Sequence, residues 1–444
     1  MVFSSAFFLF AFLPVVFGLC LLPFNIKIKN FILIIASLFF YAYGEPIYVL
    51  LMLLSSVINY SFGLLLGKNK DNKTLSNIIL ALAVIINLSM LGFFKYTNFI
   101  LDNINGVFHA GITFRDIALP IGISFFTFQA MSYVIDVYRN PELSQKDYFA
   151  ILLYIAMFPQ LVAGPIVRYS DIEKQIYNRK TNEGEIVRGI KRFCKGLFKK
   201  MFIANICGEI ADDIFALNIN EYAFYVAWLG AIAYALQIYY DFSAYSDMAI
   251  GLGHMLGFEF KENFDHPYSA TSIRGFWRKW HISLSTWFKE YVYIPLGGNR
   301  NGKVKTERNR MIVFLLTGIW HGANWTFVFW GIIHGVFSIL EDILHPKKEV
   351  KHKILGNVYT LLVAVVAFVF FRAETIRKGF SFVKVMFTGF KSDALSKYVF
   401  LGQMNLYNII TLIVACVFSY PVLNICKNRM KDKKWRTYTN YAIF

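Results

Sequence analysis

Two histidines sit among tryptophans, one of them in a stretch without any formal charge, and imidazole is the side chain best suited to exchange a proton near neutral pH. His321 lies in Met311–Leu340, MIVFLLTGIWHGANWTFVFWGIIHGVFSIL, a run of 30 residues without Asp, Glu, Lys or Arg. Such a run exceeds the ~20 apolar residues that a membrane-spanning helix needs. An ionisable group at that depth reads as a functional site; the plainer alternative is an imidazole merely hydrogen-bonded to a neighbouring helix. Gly318, Trp320, Gly322, Asn324 and Trp325 flank it, and small residues let a substrate or a second helix approach the ring. His281 lies in Ile273–Arg300, where Trp277, Trp280, His281, Leu284, Trp287, Phe288 and Tyr291 recur at helical spacing. That spacing predicts one amphipathic helix with His281 inside its apolar stripe, a hydrogen-bonded structural imidazole being the plainer alternative there. Tyr239–Asp247, YYDFSAYSD, adds Asp241 and Asp247, which point in different directions on an unbroken helix. One carboxylate would orient a histidine or a substrate hydroxyl and the other anchor a base, with simple ion pairs as the alternative.

The elements that position these groups are membrane helices. Of 444 residues, 57% are hydrophobic and only 16% charged, against roughly 25% in a soluble domain; the mean hydropathy is +0.48. The chain therefore reads as an all-α, polytopic integral membrane protein with roughly ten or eleven spans. Long uncharged stretches include Met1–Ile26, Pro46–Gly67, Leu75–Phe94, Ile117–Ile135, Phe149–Val167, Tyr222–Tyr240, Ile354–Phe371 and Tyr398–Cys426. The net charge of +17 is concentrated in short connections, as the positive-inside rule requires, so anionic lipid headgroups rather than nucleic acid are the expected partner. The first segment has no basic residue before Lys27, which predicts a retained helix with its N-terminus outside. Cys20, Cys194, Cys207, Cys416 and Cys426 show no metal-ligand spacing and none lies near the histidine stretches, so neither a metal, a disulfide nor a thiol nucleophile is expected.

In order along the chain, residues 1–94 predict four scaffold helices and 95–116 a polar connection. In Leu119–Arg139, Thr127 and Gln129 sit mid-segment, and the spacing of Asp136 and Arg139 permits an ion pair. Pro159, Gly164 and Pro165 in Met157–Asp171 fit a broken or re-entrant helix, with Gln160 and Arg168 facing a cavity, and equally a plain helix terminus at the interface. Lys191–Lys200, KRFCKGLFKK, alternates bases with Phe193, Leu197 and Phe198 and predicts an amphipathic helix on the cytoplasmic surface, with docking of an acidic carrier protein as the sharper alternative. The last hundred residues predict two spans with basic connections at Lys347–Lys353 and Lys427–Lys434. With no repeat and no linker, residues 1–444 read as one membrane domain.

Four motifs carry a resemblance: FWRKWHISLSTWFKEYVYIPLGGNR (Phe276–Arg300), GIWHGANWTFVFWGIIHG (Gly318–Gly335), YYDFSAYSDMAIGLG (Tyr239–Gly253) and LPIGISFFTFQAMSYVIDVYR (Leu119–Arg139). In these the chain resembles the membrane-bound O-acyltransferase superfamily, in particular its bacterial alginate O-acetylation branch. The resemblance covers nearly the whole chain. It implies re-entrant and interfacial helices around a central tunnel that runs from the cytoplasmic face to a histidine. The family's near-invariant histidine maps onto His321, and a second polar position some forty residues earlier maps onto His281. The implied reaction moves an acyl group, acetyl in this branch, from a thioester donor (acetyl-CoA or an acyl carrier protein) towards an exported polysaccharide. An extracytoplasmic transferase is the implied partner, the cell membrane the implied location, and no tightly bound cofactor is implied.

Such a transfer needs a neutral imidazole as base, here His321, and an oxyanion donor. His281, Asn324, Tyr239 and a backbone N–H near Gly322 are the candidates. Trp320, Asn324, Tyr239, Asp241, Trp280 and Trp277 are the expected substrate-binding residues. Two further readings are D-alanyl-type transfer to a cell-wall polymer and a transporter or flippase of another class, to which broken spans and intramembrane polar groups are also suited.

Overall fold

The computed structural model describes residues 1–162, 164–344 and 352–422. All regular structure among them is helical, with no strand. A π-helical turn at Phe8–Phe12 leads into α1 (Leu13–Leu21), followed by α2 (Ile26–Ala42), α3 (Val49–Lys68), α4 (Lys73–Phe108) and α5 (Ile123–Arg139). The middle of the chain forms α6 (Tyr148–Ala156), α7 (Phe158–Leu161), α8 (Tyr169–Asn178), α9 (Glu183–Phe198), α10 (Asn205–Phe215) and α11 (Phe224–Leu256). Next come α12 (Ile273–Trp277), α13 (Ile282–Phe288), α14 (Lys303–His321) and α15 (Trp325–Leu344). The last described helices are α16 (Lys353–Arg372), α17 (Ile376–Thr388), α18 (Ala394–Gln403) and α19 (Leu406–Phe418). Asn25, Asn72, Asp147 and Asn182 start α2, α4, α6 and α9 by accepting from backbone N–H groups, the expected use of short polar side chains at helix N-termini.

By length and apolarity, α3, α4, α15 and α16 suffice to cross a membrane among the described residues, and α18 with α19 form a fifth candidate bent by 72°. The expected ten or eleven spans are not reached by that measure, because several apolar stretches are broken into shorter helices. One break falls at Met157, between α6 and α7, where the sequence placed it. The basic connection Lys427–Lys434, Cys426 and most of Lys347–Lys353 lie outside the described residues. The expected polar connection at 95–116 is corrected: α4 continues to Phe108, where left-handed His109 (φ 50°) ends it.

The chain divides into two compact units. The first comprises Met1–Met201, Asp241–Asn263 and Ser283–Gly335. In it, α3 and α4 are joined by a reciprocal amide pair between buried Asn59 and Asn87, with N–H···O distances of 3.0 and 2.8 Å. Helix α9 runs antiparallel to the last turns of α11. A Cβ on Gly189 would stand 2.6 Å from the Gly251 carbonyl, and one on Gly196 2.6 Å from that of Ala244, so only glycine allows this approach. Flanking that seam, Arg192 and Lys199 pair with Asp247 at 2.6 and 2.8 Å, and Lys200 pairs with Asp241 at 2.6 Å. Three bases of the predicted surface helix are thus neutralised within the chain. The expected ion pair between Asp136 and Arg139 is not formed: Asp136 accepts from Tyr291 and Ser170, and Arg139 donates to the Glu290 carbonyl. Both side chains have turned to a neighbouring segment that offers better geometry than their shared helix face.

The second unit comprises Phe202–Tyr240, Phe264–Ile282 and the described residues from Val336 on. Its core packs α10, the first half of α11, α16 and α17 around Tyr239, Tyr268, Phe276, Trp280 and Phe368.

At the start of α8, Arg168 grips Asp171 through Nε and Nη2 at 3.1 and 3.0 Å, and Lys261 donates to the same carboxylate. Burial pulls the Asp171 carboxyl up, yet Arg168 and Lys261 hold it below its ordinary value. A carboxylate with a lower pKa in the folded state stabilises the fold above its unfolded pKa, and the contribution fades as pH falls through the folded value. Thermal stability in detergent should therefore fall as the pH is taken from neutral to below the ordinary Asp value of 3.8. The acid-sensitive part should shrink in Asp171→Asn; an unchanged pH profile in that variant would remove this network as its source.

Candidate active site

The uncharged run Met311–Leu340 is not one span but a helical hairpin. Helix α14 ends at His321 because Gly322 is extended, with φ −170° and ψ 157°, and α15 restarts at Trp325. Asn324 Oδ1 accepts from Thr326 N at 3.0 Å, as a residue capping a helix N-terminus does. The two helices lie back to back on glycines: a Cβ on Gly331 would stand 2.5 Å from the Phe314 carbonyl, and one on Gly335 2.8 Å from Met311 Sδ. Gly318 meets the Phe327 backbone and Gly322 the Phe327 ring in the same way. The apolar part of α14 is only about 16 Å long at ~1.5 Å per residue, so the turn that carries His321 is reached after roughly half of a ~30 Å hydrocarbon core.

His321 is half-buried, its ring edge-on to Trp320 at 5.0 Å and to Trp330 at 5.1 Å. Trp330 in turn packs at 4.9 Å on the fully buried His334. Trp320 is buried against Phe125 and Phe128 of α5, and Phe128 stacks on Trp287 of α13 with centroids 3.8 Å apart. The Trp287 indole N–H donates to the Phe128 carbonyl at 3.1 Å. One residue along α5, buried Gln129 has no hydrogen-bond partner for its side-chain amide among the described residues. Buried polar groups normally find partners, and an amide left open in this way suits a bound polar ligand.

Sequence reasoning missed Lys95. Its buried ammonium, on α4, donates to the Trp320 carbonyl and to Ser124 Oγ at 3.1 Å, and lies 5.7 Å from the Trp320 ring centroid. The next residue, Tyr96, donates its hydroxyl to the Ile319 carbonyl at 2.6 Å. The last carbonyls of a helix lack intrahelical partners and carry its negative dipole end. Lys95 and Tyr96 supply both partner and countercharge. No carboxylate pairs with Lys95 among the described residues. The signal was present in the sequence: Ser76, Ile79, Ala83, Asn87, Leu91 and Lys95 form the buried stripe of α4, and Lys95 continues that spacing.

The remaining expected site residues divide between the units. Trp320, His321, Asn324 and Asp241 belong to the first; His281, Trp277, Trp280 and Tyr239 belong to the second. The single helix expected across Trp277–Tyr291 is corrected. Helix α12 stops at Trp277, α13 starts at Ile282, and a π-helical stretch follows at Lys289–Tyr293. His281 lies in the gap, fully buried and left-handed with φ +44°, a conformation that cannot continue a right-handed helix. A non-glycine residue held there costs about 1–3 kcal/mol, a strain that gathers at functional sites. The His281 ring stacks on Phe264 at 6.4 Å, and Trp280 anchors the turn among Tyr239, Phe264, Tyr268, Phe276 and Phe368. Trp277 is partly buried beside Phe276. Asp241 is occupied by Lys200.

The model of the membrane-bound O-acyltransferase family matches residues 45–373. A probable alginate O-acetylase of Pseudomonas syringae pv. tomato is 41% identical over 441 residues, covering 97% of this chain and 84% of that protein. A peptidoglycan O-acetyltransferase of Helicobacter pylori is 36% identical, covering 96% and 87%. A teichoic acid D-alanyltransferase of Bacillus subtilis is 28% identical, covering 55% of this chain and 65% of its own.

The hairpin turn makes a specific prediction. Gly322→Ala drives a methyl into the Phe327 ring and should destabilise the detergent-solubilised protein by about 1–3 kcal/mol. Phe327→Ala in the same chain should return part of that loss. Additive losses in the double variant, read from thermal unfolding, would show that the two do not meet.

Proposed function

The chain belongs to the membrane-bound O-acyltransferase family and is an O-acyltransferase, and from that premise we propose that it moves an acetyl group from a cytoplasmic thioester across the membrane towards hydroxyls of an exported polysaccharide. The observation that carries this reading is the placing of His321: a half-buried imidazole on the turn of an uncharged helical hairpin, with its helix end tied down by Lys95. The names of two relatives, an alginate O-acetylase and a peptidoglycan O-acetyltransferase, support acetyl as the group and a polysaccharide as the acceptor class. The donor in this reading is acetyl-CoA or an acyl carrier protein, the location the plasma membrane, and an extracytoplasmic transferase completes delivery. Transfer of D-alanine to a cell-wall polymer is the second reading, favoured by the resemblance to a teichoic acid D-alanyltransferase. Family membership sets the transporter reading aside.

In the proposed step His321 takes the proton of the acceptor hydroxyl as its oxygen attacks the thioester carbonyl. The tetrahedral oxyanion collapses to the ester, the C–S bond breaks, and the departing thiolate recovers the proton from the imidazolium. Exclusion of water by the surrounding tryptophans protects the thioester from hydrolysis. His281 is assigned as the second catalytic histidine and oxyanion donor, with Asn324 and Tyr239 as alternatives. Trp320, Trp277 and Trp280 are assigned as apolar walls for the acyl group. Asp241, already paired with Lys200, is retained as a substrate-binding candidate that would have to exchange that partner. Lys95 is a positioning residue that acts through His321.

Polymer-bound acetyl should disappear from cells carrying His321→Ala or His281→Ala while membrane levels of the protein stay normal. Retained acetylation in His321→Ala would sink the catalytic assignment, and full activity without any second protein would sink the relay through a partner. For Lys95→Met, kcat should fall roughly 100-fold, the scale of a small misplacement of a catalytic group, with KM little changed. Lys95→Gln keeps a donor for the Trp320 carbonyl and should recover part of the rate. A fully active Lys95→Met variant would overturn the positioning role.

A further inference from the structure

The first unit carries a second feature that the acyl-transfer chemistry does not use. Between the end of α1, the start of α2, the α8–α9 connection and the end of α11 lies a cavity of about 330 Å³. Three cations reach it, Lys29, Arg179 and Lys180, and its other walls include Leu21, Phe24 and Leu33. No carboxylate pairs with any of the three cations among the described residues. Arg179 is fixed in place: Nε donates to the Leu256 carbonyl at 3.1 Å, Nη1 to that of Ile176 at 3.2 Å, and the guanidinium lies 4.4 Å over the Phe258 ring. A guanidinium held by neutral carbonyls and a ring face keeps its full charge uncompensated, and burial draws it down to about 10. An anion seated in the cavity would restore the balance.

The setting says what kind of anion. Leu21, Phe24 and Ile28 are exposed apolar side chains interleaved with Lys27 and Lys29, the pattern of a membrane interface. By the positive-inside rule these lysines face the cytoplasm. Basic pockets between helices on that side suit phospholipid headgroups. We propose that the cavity formed by Lys29, Arg179 and Lys180 is a binding site for the phosphodiester headgroup of an anionic phospholipid of the cytoplasmic leaflet, with an acyl chain lying along Leu21 and Phe24. The ammonium groups of Lys29 and Lys180 make no hydrogen bond within the described residues and close on the phosphate, while the rigid guanidinium of Arg179 sets its position.

Lipid retention by the purified full-length protein tests this independently of acyl transfer. Native mass spectrometry is run with equal phosphatidylglycerol and phosphatidylcholine, on wild type and on Lys29→Gln, Lys180→Gln and Arg179→Gln. Wild type should retain phosphatidylglycerol selectively, and each lysine variant should weaken retention about fivefold, the worth of one cation near a lipid phosphate. Arg179→Gln should weaken it further; because Arg179 also ties two carbonyls, the lysine variants keep the test valid if it fails to fold. Equal retention of the two lipids, or unchanged retention in both lysine variants, would overturn the proposal. Displacement of the lipid by inorganic phosphate or by coenzyme A would overturn it in favour of a free anion or of the acyl donor.

Discussion

A lysine ammonium set against the open carbonyl end of a helix is the interaction on which the rest of the candidate site depends. Helix α14 stops within an apolar setting where water cannot satisfy its last carbonyls, and Lys95 and Tyr96 of α4 meet those of Trp320 and Ile319. Burying a lysine mid-membrane costs about 3 kcal/mol on insertion scales. A hydrogen bond to a charged group contributes about 1.5–3 kcal/mol, and a cation at a helix C-terminus up to ~2 kcal/mol. The sums are comparable, so the lysine is tolerable where it caps a helix and would not be where it faced lipid. Gly322 ends the helix at His321, and the Lys95 cap makes that end tolerable in an apolar setting and fixes the place of the histidine.

The chain repeatedly abandons regular helix: at Met157, at His281, after Phe288 and at Gly322. Freed backbone groups in a membrane protein are tolerated only where protein covers them or a cavity is lined. Here the covering is supplied by aromatic side chains, Trp287 on Phe128 in one unit and Trp280 among tyrosines and phenylalanines in the other. Glycine does the complementary work of bringing helix backbones together, as at Gly331 against Phe314 and Gly189 against Gly251. Bulk holds the breaks and its absence holds the seams.

The excess of positive charge is likewise put to structural use. Arg192, Lys199 and Lys200 pair with Asp247 and Asp241 along the seam of α9 and α11. The sequence pattern that suggested a lipid-facing or carrier-facing surface is thus in part an internal lock. Where cations lack such partners, as at Lys29, Arg179 and Lys180, they gather on one cavity.

Much was legible in the amino-acid order alone. Apolarity, scarcity of charge and helical spacing determined an all-helical membrane protein, because these properties reflect the solvent each residue must face and need no partner to be read. The Trp–His motifs marked His321 and His281 as candidates, and Pro159 with its neighbours marked the stretch in which the break at Met157 falls. Only the tertiary structure decided that Met311–Leu340 folds back on itself, since a run without charge satisfies one long span as well as two helices until Gly331 meets Phe314. It alone decided that His281 interrupts a helix, because periodicity records which residues share a face and not whether the backbone between them stays right-handed. And it alone gave Lys95 its place: a charge at the end of an apolar run looks like the start of a loop until the carbonyl it caps arrives from more than two hundred residues further along the chain.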